Sequence, residues 1–168
     1  PETLYAGTWY GVLKSTDGGD NWSFFNNGLS PVFVISKLVI DPANPKTLYA
    51  ATSPNGVFKS TDGGENWSPA NTGMTPGETD VFALVIDPAN PATLYAGTYY
   101  NGVFKSTNGG ESWNFVYNVF FPNEKEILTL VIDPTSPDTI YVGIEGNGVM
   151  KSTNGGESWV YADFGLLG

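Results

Sequence analysis

Ser60-Thr61-Asp62-Gly63-Gly64-Glu65-Asn66-Trp67 is the stretch that decides the fold. A hydroxyl, a carboxylate and two adjacent glycines describe a tight corner. The Asp side chain can accept hydrogen bonds from backbone N–H groups two or three residues on, and paired glycines permit positive φ. The Trp that follows is a large apolar wedge. The corner is not unique. It returns as STDGGDNW from Ser15, STNGGESW from Ser106 and STNGGESW from Ser152, at offsets of 45, 46 and 46 residues.

Working outward, two more phrases keep the same order and period. Ile-Asp-Pro recurs at Asp41, Asp87 and Asp133, and Thr-Leu/Ile-Tyr-Ala/Val begins at Thr3, Thr47, Thr93 and Thr139. A period of this length means stacked supersecondary units. Each unit reads as four short strands. Strand A is an apolar run, residues 81–86 or 127–132, whose continuity predicts burial on both faces. The Asp-Pro phrase forces a turn because Pro fixes φ and removes a donor. Strand B follows (93–98), then strand C (102–106), with Lys105 expected to point away from the apolar partners, then the octet, then strand D opening at Trp113. No 3.6-residue stripe occurs. Four antiparallel strands per unit, with a buried inner strand, predict an all-β fold: a β-propeller of four-stranded blades. A stacked β-solenoid is the competing arrangement, but its coils are much shorter than 46 residues.

The octet resembles the Asp-box, or BNR repeat, whose pattern is Ser-x-Asp-x-Gly-x-x-Trp. All four copies fit it, with Asn108 and Asn154 in place of Asp. The resemblance implies the β-propeller of sialidases, sortilin-type receptors, some xyloglucan hydrolases and photosystem assembly factors. It also implies that the box sits at the C–D turn, on the face opposite the usual ligand site. The octets are therefore read as structural. A calcium loop is disfavoured because Asn108 and Asn154 lack the charge such a site wants.

Composition narrows the function. Among 168 residues there is no Cys and no His, and all seven cations are lysines. Thiolate chemistry and the usual general base are thereby excluded, and no guanidinium can fork onto a carboxylate or phosphate. The resemblance to sialidases would require an arginine cluster, and that to sortilin a cysteine-rich companion; neither can be built here. The net charge of −10 argues against nucleic acid, and no apolar run reaches membrane-spanning length. No metal, cofactor or catalytic residue is assigned.

Strand order puts the B–C and D–A loops on the face opposite the octets, and these are the segments that vary. The candidate ligand-binding residues are Trp9, Tyr10, Asn55, Tyr99, Tyr100, Asn101, Glu145 and Asn147. Trp9, Tyr10, Tyr99 and Tyr100 stand where other copies carry small or polar residues, and flat aromatic faces beside amides or carboxylates suit sugar stacking. Further aromatics (Phe24, Phe25, Phe33, Phe115, Tyr117, Phe120, Phe121, Tyr161, Phe164) lie along the D–A segments, where packing is their usual role. Six acidic residues fall on the variable loops: Glu78, Asp80, Glu124, Glu126, Glu145 and Asp163. A carboxylate pair among them would be the requirement for glycoside hydrolysis.

The repeats run approximately over 1–31, 32–77, 78–123 and 124–168, forming one propeller domain or part of a larger one. Pro1 aligns with Pro45, Pro91 and Pro137, inside an A–B turn, so the first blade is expected to lack its inner strand. Three outcomes follow: further blades beyond this chain, assembly with copies of itself through the open edges, or a small four-blade ring covered by Phe164–Leu167. The sequence thus points to a non-enzymatic Asp-box propeller acting as a binding or assembly module, for a glycan or protein ligand. The family resemblance and the acidity place it in the extracellular space or cell envelope. The alternative is a glycoside hydrolase-type propeller fragment.

Overall fold

The computed structural model describes residues 2–29, 34–75, 79–117, 126–162 and 165. Fifteen strands form four antiparallel sheets among these residues. Blade one has three strands, β1 (Leu4–Thr8), β2 (Gly11–Ser15) and β3 (Ser23–Phe24). Blade two adds the inner strand: β4 (Val34–Ile40), β5 (Leu48–Ser53), β6 (Gly56–Ser60) and β7 (Ser68–Pro69). Blade three is β8 (Val81–Ile86), β9 (Leu94–Thr98), β10 (Val103–Ser106) and β11 (Asn114–Tyr117). Blade four is β12 (Ile127–Ile132), β13 (Ile140–Ile144), β14 (Gly148–Ser152) and β15 (Val160–Tyr161). Each sheet keeps chain order, as a propeller blade does. Among the described residues the first blade has three strands and no inner strand, as the alignment of the Pro residues implies.

The core lies between blades. Val81, Leu84, Leu94 and Phe104 of blade three pack with Tyr49, Ala51 and Val57 of blade two and with Trp113. A second layer joins Ile127, Leu130, Ile140 and Val142 of blade four to Ala83, Tyr95 and Val103 of blade three. A third joins Val12 of blade one to Ile35, Leu48 and Phe58 of blade two. The expectation that strand A is buried on both faces is met only in part by β8, where Phe82, Val85 and Ile86 are half-buried, and fails for β12, where Leu128 and Val131 are exposed. Leu130 and Ile132 pack into the core shared with Ala83, Tyr95 and Val103 of blade three, whereas Val131 is outside that core and lines an open groove with Val39 and Val85.

The octets build the corner by a different bond pattern from the one the sequence suggests. In blade two the Ser60 hydroxyl donates to Asp62 Oδ1 (2.8 Å) and accepts from the Gly64 N–H (2.9 Å). The Asp62 carboxylate then accepts the Asn66 backbone N–H at 2.9 Å and the Asn66 side-chain amide at 2.7 Å, four residues on rather than two or three. The two glycines carry φ of 76° and 86°, a left-handed path that lets the carboxylate span the extra residue. The wedge role of the Trp holds for three copies, Trp159 packing on Tyr117 of the preceding blade. Trp67 and Trp113 are 3% and 2% exposed, and their indoles donate to Phe25 and Ala70 carbonyls of the preceding blade. Trp22 is 40% exposed and donates to Gly19 in its own turn.

Lys105 corrects another expectation. It does not point away from the apolar partners. Its ammonium reaches the next blade and donates to the Gly155 carbonyl at 2.8 Å, lying 5.3 Å from the Tyr95 ring centroid. Tyr95 donates to the same oxygen at 3.0 Å. Blades one and two repeat this arrangement. The amphipathic lysine stem covers apolar surface while its charge finds an acceptor.

Candidate ligand-binding face

The four B–C loops, at residues 9–10, 54–55, 99–102 and 145–147, lie at the same end of their sheets, opposite the octets. Asparagines hold two of them. Asn71 accepts the Val57 N–H (2.7 Å) and donates to the Asn55 carbonyl (2.9 Å), and Asn26 does the same for Val12 (2.8 Å) and Tyr10 (2.9 Å). One side chain thus ties a loop to its strand. Asn55 contributes its backbone to this tie. Trp9 and Tyr10, by contrast, project outward at 77% and 69% exposure.

In blade three the corresponding residue is Tyr117, which pairs with Val103, and the loop is held otherwise. Tyr99 donates its N–H to the Asp80 carbonyl at 2.9 Å, and the Asn101 N–H meets the Thr98 hydroxyl at 3.0 Å. Three rings then gather. Phe82 and Tyr99 have centroids 5.5 Å apart, and Tyr99 and Tyr100 stand edge to face at 4.0 Å and 87°. Hydrogen bonds to Tyr100 and then to Glu126 push the Tyr99 phenol well above its ordinary range. Tyr100 remains half exposed, so one aromatic face is open beside a carboxylate.

Phe82 reaches this cluster because of a bulge. In β8 the register slips between Val81 and Ala83, leaving Phe82 without a strand partner. The same slip occurs between Ile35 and Lys37 and between Ile127 and Thr129. An extra residue re-aims its side chain. Ser36 in that place bonds the Val81 carbonyl of the next blade at 2.6 Å.

The structure therefore brings Tyr99 and Tyr100 together and adds Phe82, Asp80 and Glu126. Glu145 lies beside them through its backbone, its N–H donating to the Glu126 carbonyl at 3.0 Å, and Asn147 closes its own loop on the Ile144 carbonyl at 3.1 Å. Among the described residues no hydrogen bond or ring contact links Trp9 or Tyr10 to that cluster. Glu78, Glu124, Asp163, Phe33, Phe120, Phe121 and Phe164 lie outside the described residues, as does the Phe164–Leu167 cover. The bulge residue and the loop-tying asparagines were missed in the sequence. Asn26 and Asn71 share one place in the repeat, four residues after the Trp, and that alignment was the available signal.

On the opposite face the octet carboxylates are committed to their corners. Hydrogen bonds from the Asn21 backbone N–H and side chain, then from Ser15, hold Asp17 down at about 2. The Asn66 side chain, its backbone N–H and Ser60 do the same for Asp62. Among the described residues no three acidic side chains converge where they could hold a metal ion. Nor is any helix there long and apolar enough to cross a membrane.

The BNR/Asp-box repeat model matches residues 58–69, the second octet with its flanking strands. No curated protein matches the chain at the level of sequence. Solved structures do match its fold. An ancestral GH74 enzyme is 25% identical with a TM-score of 0.79, covering 94% of this chain and 22% of its own. The Niastella koreensis GH74 enzyme is also 25% identical, with a TM-score of 0.72 over 95% of this chain and 27% of its own. YCF48 from Cyanidioschyzon merolae matches in fold at 18% identity and a TM-score of 0.69, over 95% of this chain and 52% of its own. An extracellular domain from B. thetaiotaomicron matches likewise at 17% and 0.75, over 95% and 21%. The chain thus spans about a quarter of the GH74 enzymes it resembles. Four in-phase octets, four blades in chain order and these neighbours make it a β-propeller built on BNR/Asp-box repeats.

Proposed function

We propose that the chain is a binding module whose B–C loop face takes a neutral carbohydrate, with the Tyr99–Tyr100 platform as its centre. One observation carries this reading: an exposed phenol ring, Tyr100, is fixed at right angles to Tyr99, whose hydroxyl is engaged with Glu126. A rigid flat ring can stack on the apolar face of a sugar while a carboxylate and the Asn101 amide accept and donate to its hydroxyls. A net charge of −10 without any Arg or His favours a neutral sugar over an anionic one. Trp9 and Tyr10 form a second exposed pair on the same face, suited to a longer chain. The extracellular neighbours support a secreted or cell-envelope location.

Isothermal titration with neutral β-linked oligosaccharides tests the reading. Tyr100→Ala should weaken binding at least about tenfold, the effect of losing roughly 1.4 kcal/mol. Absence of binding, or binding unaffected by Tyr100→Ala and Tyr99→Ala, overturns it. Release of reducing ends that disappears in Glu126→Gln would replace it with glycoside hydrolysis, the reading favoured by the GH74 neighbours.

A further inference from the structure

The inner strands β4, β8 and β12 carry a concavity separate from the B–C loop face. Register aligns it. Val39, Val85 and Val131 pair with Tyr49, Tyr95 and Tyr141, so they hold one place in three successive blades. With Ile86 and Ile132 they wall an open groove of about 320 Å³. Val131 is 52% exposed there, and Val39 and Val85 are half-buried. The whole lining belongs to blades two, three and four. A concave, mostly apolar surface with a few polar groups is the usual form of a small-molecule site.

One cation breaks the apolar wall. Lys37 pairs with Ala51, and the same place is Ala83 in blade three and Thr129 in blade four. The repeat therefore has no need of a lysine there. Lys37 lines the groove and also a recess of about 40 Å³ beside Phe82 and Leu128. Other lysines are committed. Lys14, Lys59 and Lys105 each donate to a glycine carbonyl of the next blade, and Lys151 lies over the Tyr141 ring. Among the described residues no hydrogen bond or ion pair engages the Lys37 ammonium, and no acidic residue lines either cavity. Acids occur only beyond one end. Asp41, Asp87 and Asp133 stand in the A–B turns that follow the three inner strands, each accepting N–H groups of its own turn. Pro88, next to Asp87, lines the groove at that end.

We propose that this groove binds a small amphipathic carboxylate, a monoacid with a compact apolar body. The carboxylate pairs with Lys37. The body lies along Val39, Val85 and Val131 towards the A–B turns. This direction sets the anion on the one cation and keeps it away from the turn carboxylates, while apolar surface meets apolar surface. Charge complementarity selects the class: a cation finds no acid in the lining, and a neutral body leaves the ammonium unused. A single ammonium suits a single negative charge, all the more in a chain carrying −10 overall.

Isothermal titration of the chain with sodium octanoate tests this, with octan-1-ol as the neutral counterpart. The expected result is one octanoate per chain, with octan-1-ol bound about five- to tenfold more weakly. Lys37→Ala should weaken octanoate by about the same factor, and the fold should tolerate it because blade three carries Ala83 in that place. Lys37→Arg should retain binding, since either cation can pair with a carboxylate. Val131→Asp, at an exposed position, should abolish binding by placing an anion in the wall, with circular dichroism confirming the fold. Failure of the unsubstituted chain to bind millimolar octanoate overturns the proposal. So does octan-1-ol binding as tightly as octanoate, or octanoate binding indifferent to Lys37→Ala or Val131→Asp.

Discussion

At the scale of single residues, the octet's third and seventh positions form matched sets. Asp62 is all acceptor, and Asn66 supplies the donors. Asn108 carries an amide NH₂ of its own, and position 112 is Ser, whose hydroxyl accepts one of its N–H groups at 2.8 Å. The acidic sets are pH-sensitive. Asp17 and Asp62 sit at about 2 rather than 3.8, so folding favours the ionised form. Their stabilisation is complete above the unfolded value and is lost as pH falls through about 2. A variant carrying Asp17→Asn and Asp62→Asn should show a shallower loss of stability between those two pH values, measured by urea unfolding followed by circular dichroism. Asp133, also held low by the Thr135 hydroxyl, would remain. An unchanged slope would assign the acid sensitivity to other carboxylates. The wedges differ as well. Trp67→Ala or Trp113→Ala should cost about 3–5 kcal/mol, whereas Trp22→Ala should cost about 0.5–1 kcal/mol, a contrast visible by calorimetry.

At the scale of elements, the joint between blades is the unit. Burial, then the charges of Asp41 and Glu111, push the Tyr49 phenol to about 12; burial, then Asp138 and Asp87, do the same for Tyr95. The folded value is raised, so this contribution is whole below the ordinary phenol value and is lost as pH climbs towards 12. Absorbance titration near 295 nm should therefore show the late-titrating signal smaller by two phenols in the Tyr49→Phe, Tyr95→Phe double variant, with Tyr99 and Tyr117 still titrating late. Each replacement removes one hydrogen bond worth about 1 kcal/mol. None of this was legible beforehand, because Lys105 reads as an outward residue until the neighbouring blade is in place. The strands were legible: residues 81–86 and 127–132 are the runs that became β8 and β12, since apolar pattern and turn chemistry are local. The bulges were not, because a slipped register depends on how an inner strand meets its partner. That is why Tyr99 and Tyr100 could be picked out as candidates while Phe82, which supports them, could not.

At the scale of the molecule, four blades form an arc whose hydrogen-bonded neighbours are consecutive, so its stability is close to a sum over nearest-neighbour joints. The lysine–tyrosine contact has one more consequence. It gives the arc a sense, like an arrow, since every unit gives with one flank and receives with the other. Splicing in one whole extra period would preserve each handshake, leaving the count of units to be fixed by curvature and not by any recognition code.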